Sequence, residues 1–128
     1  MTEQKITLER RKLNAGEILF NEGAPGTEAY LIRKGCVSIT RQEGDKQIYL
    51  ATRSEGQIVG EMALIDKTSR SATVTANDNV EVMVLNKGQL EAILAESPRI
   101  VSEILHQLLE SLRTANDLIM MYAARPGK

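Results

Sequence analysis

The chain has one cysteine, one histidine and almost no net charge, and each of these scarcities excludes a class of function. Cys36 alone allows neither an intramolecular disulfide nor a cluster of thiolate metal ligands. Lys and Arg number 16 against 17 for Asp and Glu, so no overall field favours nucleic acid or an anionic membrane, and a bound anion must be held by local geometry. Apolar runs approaching about 18 residues and a signal-peptide pattern are also missing. We therefore expect a cytoplasmic protein that does not insert into a membrane.

The same scarcities argue against an enzyme. A cupin-type metal site needs two or three histidines and a carboxylate, whereas His106 is the only histidine and lies in a region predicted to be helical. Cys36 and His106 fall in distant predicted elements without a surrounding catalytic motif, so no nucleophile and base can be paired. We expect neither catalytic residues nor a metal site.

Turn signals at regular spacing organise the first two thirds of the chain. Glycines recur about 9–12 residues apart, which is typical of a sandwich or barrel of short strands. Val37 and Ile39 alternate with polar residues, as in a half-buried strand. A tight turn at residues 43–45 and another at 77–79 favour antiparallel pairing. The predicted strands are Glu17–Asn21, Glu28–Lys34, Cys36–Arg41, Gln47–Thr52, Ala72–Ala76 and Val80–Leu85.

The last third is predicted to be helical. Asn86 followed by Gln89 resembles a capping box, which opens a helix to about Glu96. Ser97 as N-cap with Pro98 at the first helical position predicts a second helix that runs to Tyr122. This division gives one domain overall, with a β part at 1–96, a long helix at 97–123 and a tail at 124–128.

Apolar residues of the long helix alternate at spacings of four and three, which indicates a coiled-coil seam of about three heptads. We expect a parallel homodimer through residues 101–122. The alternative is a helix that packs only on its own β-domain. The seam consists of Val101, Leu105, Leu108, Leu112, Ala115, Ile119 and Tyr122.

The segment from 56 to 74 carries the chemistry. Gly60 allows close backbone approach to a ligand, and a helical turn that starts there points free N–H groups outward. Arg70 follows at the end of a polar loop, where its planar guanidinium can clamp a phosphate. Glu61 would repel an anion unless it accepted a hydrogen bond from a ligand hydroxyl. A phosphate with a neighbouring hydroxyl indicates a nucleotide; the alternative is a surface salt bridge between Glu61 and Arg70.

This segment resembles the phosphate-binding cassette of the cyclic-nucleotide-binding domain family, which includes the catabolite activator protein, protein kinase A regulatory subunits and cyclic-nucleotide-gated channels. The family pattern is G-E-x-A-L, a loop, then R-[small]-A-x-V; here it reads GEMAL at 60–64 and RSATV at 70–74. AGEILF at 15–20, EG at 22–23, YLI at 30–32 and KG at 34–35 extend the likeness to about residues 8–122. The resemblance implies an antiparallel, jelly-roll-like β-roll, or double-stranded β-helix, followed by a long helix, in a regulatory sensor without catalysis.

The resemblance also implies residue roles. Arg70 should pair with the exocyclic phosphate oxygens. The backbone N–H groups of Ala63 and Ser71 should complete the phosphate cradle beside Gly60, with a further contact from the Ser71 hydroxyl. Glu61 should accept a hydrogen bond from the ribose 2′-hydroxyl.

Base selectivity is implied less directly. The family tends to have alanine after the arginine in cyclic-AMP binders and threonine in cyclic-GMP binders, and bacterial cyclic-AMP sensors also use serine there. Ser71 therefore favours cyclic AMP, with cyclic GMP as the alternative. Alignment of the long helix with that of the catabolite activator protein brings Ala115 and Asn116 to its adenine-contacting pair. Asn116, with Thr114 nearby, is thus the candidate base contact.

One alternative function remains open. A ligand-free domain of the same fold could act as a dimeric interaction module through its helical seam. No helix-turn-helix follows the long helix within the 128 residues, so we expect no direct DNA binding by this chain.

Overall fold

A computed structural model describes residues 7–66 and 68–123 and divides the chain into two compact units, Met1–Leu90 and Glu91–Lys128. The first unit is built mainly from antiparallel strands, and the second is helical. The predicted fold class, an antiparallel β-roll followed by a C-terminal helix, is confirmed. The predicted division after residue 96 stays a prediction.

Two four-stranded antiparallel sheets form most of the β-unit, with orders β1-β10-β4-β7 and β2-β9-β5-β6, and β3 pairs with β8. The strands are β1 Arg10–Leu13, β2 Ile18–Phe20, β3 Pro25–Gly26, β4 Glu28–Lys34, β5 Val37–Glu43, β6 Lys46–Arg53, β7 Ile58–Val59, β8 Thr68–Ser69, β9 Thr73–Ala76 and β10 Val80–Asn86. A 3₁₀ helix, Glu61–Leu64, follows β7. The six predicted strands correspond to β2, β4, β5, β6, β9 and β10, with bounds that differ by no more than about two residues at each end.

Alternation along the strands buries one apolar core. Val37 and Val74 face inward, while their neighbours Ser38 and Thr73 are only partly buried, as a period of two requires. The core cluster consists of Leu13, Tyr30, Ile32, Val37, Val59, Val74, Ala76, Val80, Val82 and Val84, with Leu19, Phe20 and Ile39 packed against it. This core holds together the strands that carry the candidate site.

The capping box at the start of α1, Lys87–Ala95, is confirmed by two reciprocal hydrogen bonds. The Gln89 N–H donates to Asn86 Oδ1 at 2.7 Å, and the Asn86 N–H donates to Gln89 Oε1 at 2.9 Å. Both bonds satisfy backbone donors that the first helical turn leaves unpaired.

The prediction that Ser97 caps the long helix is wrong. The Ser97 hydroxyl instead donates to the carbonyl of Ile93 in the preceding helix at 3.0 Å. The Pro98 carbonyl accepts the bond from the Ser102 N–H, so proline lies at the cap and α2 spans Arg99–Ala123. A serine hydroxyl between two helices can bond to either one, and here it closes the end of α1.

Helix α2 exposes an unusual amount of apolar side chain. Its large apolar residues Ile100, Val101, Ile104, Leu108, Leu112, Leu118, Ile119 and Met121 are 40% to 67% exposed. Of the other predicted seam residues, Leu105 is half-buried, Ala115 is exposed, and the side chain of Tyr122 lies outside the described part. Within the described residues, neither helix has the length and apolar content that crossing a membrane requires.

Candidate functional site

The backbone on either side of Arg70 is fixed by pairing with an earlier loop. Strand β8 pairs with β3 immediately before Arg70. The Arg70 N–H then donates to the Ala24 carbonyl, and its own carbonyl accepts from the Gly23 N–H, both at 2.8 Å. Gly23 has φ of 86°, in the left-handed region that glycine adopts without strain. These bonds hold the start of the Arg70 side chain in one place.

The Arg70 guanidinium lies inside the protein and, in the described part of the chain, has no counter-charge. The residue is only 8% exposed. Its Nη2 donates to the backbone carbonyl of Glu28 at 2.7 Å, and its Cζ lies 4.0 Å from the centroid of the Phe20 ring. Nε is buried and has no hydrogen-bond partner among residues 7–66 and 68–123. A buried donor left unpaired is costly, so this guanidinium is ready for an anionic acceptor.

Two glycines make room for the guanidinium. A Cβ added at Gly60 would lie 2.7 Å from Arg70 Nη1, and one at Gly26 would lie 2.9 Å from Arg70 Nε. Gly60 also has φ of 72°, which other residues rarely adopt. Arg70 is therefore the side chain that lies against Gly60, and the predicted close approach of a ligand to Gly60 stays a prediction.

The other predicted cassette residues lie on the 3₁₀ helix and on the segment after Arg70. Glu61 and Ser71 are exposed, whereas Ala63 is buried. The Ala63 N–H donates to the Gly60 carbonyl at 3.1 Å within the 3₁₀ helix. A phosphate contact from this N–H therefore requires either a hydrogen bond shared with the Gly60 carbonyl or a local rearrangement. The predicted role of Ala63 in the phosphate cradle stays a prediction.

The alternative of a surface salt bridge between Glu61 and Arg70 has no support in the described parts of the chain. No ion pair there involves either residue. Glu28, whose backbone carbonyl accepts from Arg70, directs its carboxylate elsewhere. That carboxylate accepts from the Tyr30 hydroxyl at 3.0 Å and lies 3.7 Å from Arg11 Nη2. Burial raises the pKa of Tyr30, as does its hydrogen bond to Glu28, so this phenol remains a donor at neutral pH.

Three residues that surround Arg70 were not assigned a role from the sequence. Phe20 contributes a ring face, Glu28 a backbone carbonyl and Gly26 the space for Nε. The chain has only one phenylalanine, which is the one signal that could have drawn attention to position 20. A backbone carbonyl gives no signal in sequence.

The candidate base contacts belong to the second unit. Thr114 is exposed on α2, and the side chain of Asn116 lies outside the described part. Both assignments stay predictions. Across residues 7–66 and 68–123, no three side chains of His, Cys, Asp or Glu are grouped to hold a metal ion.

Comparison with known proteins assigns this geometry to a family. The profile described as "Cyclic nucleotide-binding domain" matches residues 10–97, which is more than half of the chain. The chain belongs to the cyclic nucleotide-binding domain family. A putative potassium channel protein of Rhodopseudomonas palustris is 35% identical over 123 residues, which cover 94% of this chain and 29% of that protein. The cyclic AMP receptor protein of Thermus thermophilus is 30% identical, over 91% of this chain and 56% of that protein.

Solved structures of family members support the same assignment. The EAL enzyme Bd1971 in a half-site-occupied form superposes with a TM-score of 0.81 and 34% identity, over 86% of this chain and 99% of that chain. The same enzyme has been solved with cAMP bound, at a TM-score of 0.64, and with cGMP bound, at 0.65. A cyclic nucleotide is the ligand class of this family. The chain spans less than two thirds of the length of the two curated relatives named above.

Proposed function

We propose that this chain is a cyclic-AMP-binding sensor that regulates other parts of a protein or a partner and catalyses no reaction itself. The observation that carries the proposal is the buried Arg70 guanidinium, which is held by a backbone carbonyl and a ring face and, among the described residues, has no carboxylate within ion-pair distance. A cyclic nucleotide supplies the single negative charge that such a site lacks. Charge-assisted hydrogen bonds to phosphate are the strong ones. A cytoplasmic location remains part of this proposal.

Cyclic AMP is favoured over cyclic GMP because position 71 is serine. Relatives with either ligand bound have this fold, so the fold alone does not choose between them. Ser71 is exposed beside Arg70, where its hydroxyl is free to meet a ligand. Calorimetry with both nucleotides tests the proposal: wild type should bind cyclic AMP at micromolar concentration or tighter, and cyclic GMP more weakly.

Ser71→Thr should shift that preference. The added methyl restricts the χ1 rotamers of the hydroxyl, and a hydroxyl held towards the base favours the guanine amino group. We expect cyclic GMP to gain about 3- to 10-fold in affinity, within the range of one neutral hydrogen bond, while cyclic AMP changes little. Ser69→Thr, an exposed serine two residues earlier, is the matched control. Unchanged cyclic-GMP affinity in Ser71→Thr would remove position 71 from base selection.

Glu61 is proposed to accept a hydrogen bond from the ribose 2′-hydroxyl. A hydrogen bond to a charged group contributes about 1.5–3 kcal/mol. Wild type should therefore bind 2′-deoxy cyclic AMP roughly 10- to 100-fold more weakly than cyclic AMP. In Glu61→Gln the two nucleotides should differ much less, whereas Glu55→Gln, at another exposed glutamate, should behave as wild type. An equal penalty for the deoxy nucleotide in wild type and Glu61→Gln would exclude Glu61 from the ribose site.

The exposed apolar residues of α2 support a second part of the proposal, a parallel homodimer through residues 101–122. Val101, Leu108, Leu112 and Ile119 are 47%, 60%, 40% and 64% exposed, and all four fit the alternating four-and-three spacing of a two-stranded seam. Contiguous apolar surface of this kind marks an interaction site. A second copy of the chain is a suitable partner because it carries the same apolar seam.

The same exposed face favours a second candidate function, a ligand-free interaction module. The two candidates differ in one measurement. A dimeric chain that gives no heat with cyclic AMP or cyclic GMP, and whose melting temperature neither nucleotide raises, would support the interaction module and exclude the sensor.

A further inference from the structure

The contacts of Arg70 hold the guanidinium without neutralising it. Its neighbours in the described part of the chain include the face of the Phe20 ring at 4.0 Å, the Glu28 backbone carbonyl at 2.7 Å, and Gly26 and Gly60, whose lack of a side chain leaves it room. All of them are uncharged. Among the described residues, no carboxylate lies within ion-pair distance of Arg70, and the nearby carboxylate of Glu28 is bound to Tyr30 and Arg11. A phosphate therefore meets a full positive charge and displaces no resident anion.

Phe20 is the side chain that can set the position of this charge. The Glu28 carbonyl bonds to only one of the three guanidinium nitrogens, and an arginine side chain can turn about a single such bond. The Phe20 ring face restricts that movement because it attracts the cation across its surface. Phe20 Cε2 would also lie 3.4 Å from a Cβ at Gly60, so the ring reaches the first residue of the cassette.

Phe20 is itself held by its neighbours. Its ring stacks on that of Tyr30 with centroids 5.8 Å apart and planes 27° apart, and Tyr30 belongs to the buried core. The phenol of Tyr30 is fixed by its hydrogen bond to Glu28. The ring under Arg70 is therefore anchored to the β-sandwich and does not depend on the ligand.

We propose that Phe20 is a positioning residue for cyclic-nucleotide binding: its ring holds the Arg70 guanidinium in place beside Gly60. This inference rests on the proposed function. The apparent affinity equals the intrinsic affinity multiplied by the fraction of molecules that already have the binding-competent arrangement. Loss of the ring should therefore weaken binding although Phe20 carries no group that bonds to phosphate.

A double-mutant cycle tests this role. Phe20→Leu, which keeps an apolar side chain but removes the ring, should weaken cyclic-AMP binding about 2- to 30-fold, the range set by a cation–π contact. Phe20→Tyr keeps the ring and should restore affinity. In an Arg70→Gln background the same Phe20→Leu change should alter affinity less than about 2-fold, because no cation is left to position. Titrations followed by NMR can measure the weak binding expected in that background.

A purely structural role for Phe20 predicts a different pattern. Phe20→Leu would then weaken binding by the same factor whether or not Arg70 is present, and this result would overturn the inference while leaving the proposed sensor intact. No binding of either cyclic nucleotide to wild type would overturn the proposed function and the inference together.

A measurement on the unsubstituted chain does not depend on the folding of any variant. The Nε–H proton of Arg70 should resonate upfield of those of exposed arginines, because the guanidinium lies over the face of Phe20, and it should exchange slowly because Nε is buried. An Nε–H with the shift and exchange rate of an exposed arginine would contradict the proposed arrangement.

Discussion

Arg70→Ala should abolish most cyclic-nucleotide binding. Truncating one partner of a buried, hydrogen-bonded charge pair typically costs about 2–5 kcal/mol, which corresponds to a loss of roughly 30- to several thousand-fold in affinity. The bound phosphate would lose the counter-charge that Arg70 supplies. Calorimetry with cyclic AMP measures the effect directly.

Arg41→Ala is the matched control for this experiment. Arg41 lies on β5 in an exposed ion pair with Glu43 at 3.0 Å, and exposed pairs contribute little to stability. The control removes the same overall charge, so it separates the local contact from general electrostatics. Circular dichroism should show both variants folded. The phosphate assignment would be wrong if Arg70→Ala bound cyclic AMP within a factor of about two of wild type.

Thermal melting gives a second view of the same residue. Bound ligand raises the melting temperature by mass action, and the gain in stability grows with the logarithm of ligand concentration divided by Kd. Wild type and Arg41→Ala should therefore melt higher in saturating cyclic AMP, and Arg70→Ala should not. The unliganded melting temperature is a less direct readout, because removal of Arg70 relieves a buried unpaired Nε but also loses the contact with Phe20.

The strands were predictable where one face is buried and the other is polar. β5 and β9 carry that alternation, and their positions were close to correct. β1 was missed because Arg10, Arg11 and Lys12 give it three consecutive charged residues. It lies at a sheet edge and pairs only with β10, where charged residues are common because they oppose further strand pairing. β3, β7 and β8 have two residues each, too few for any periodicity.

The site was predictable where a local pattern specifies it and not where distant residues meet. Gly60 and Arg70 could be identified because both belong to one continuous motif. The contact between Phe20 and Arg70 could not, since it depends on the pairing of β2 with β9, the strand that follows Arg70, and these two strands are distant in sequence. The position of Ser97 was misjudged for a related reason, because its hydroxyl had an equally local partner in the helix before it.

Leu112→Glu should convert a dimer into a monomer. Leu112 lies in the middle of the predicted seam and is 40% exposed in the single chain. In a parallel dimer each copy would place a carboxylate opposite the other, in an apolar surrounding without a positive partner. A buried charge without its partner costs about 3–5 kcal/mol, so the dimer should weaken by more than roughly 100-fold. The seam covers only about three heptads, so few other apolar contacts remain to compensate for the loss.

Gln107→Glu provides the control for the charge itself. Gln107 is exposed on α2 and lies outside the seam, so the same added charge should leave a dimer intact. Sedimentation at micromolar concentration, with and without cyclic AMP, should show wild type and Gln107→Glu as dimers and Leu112→Glu as a monomer. Leu112→Glu should still bind cyclic AMP if Arg70 and the cassette act within one chain. A wild type that sediments as a monomer under both conditions would show that the exposed face of α2 does not pair with a second copy.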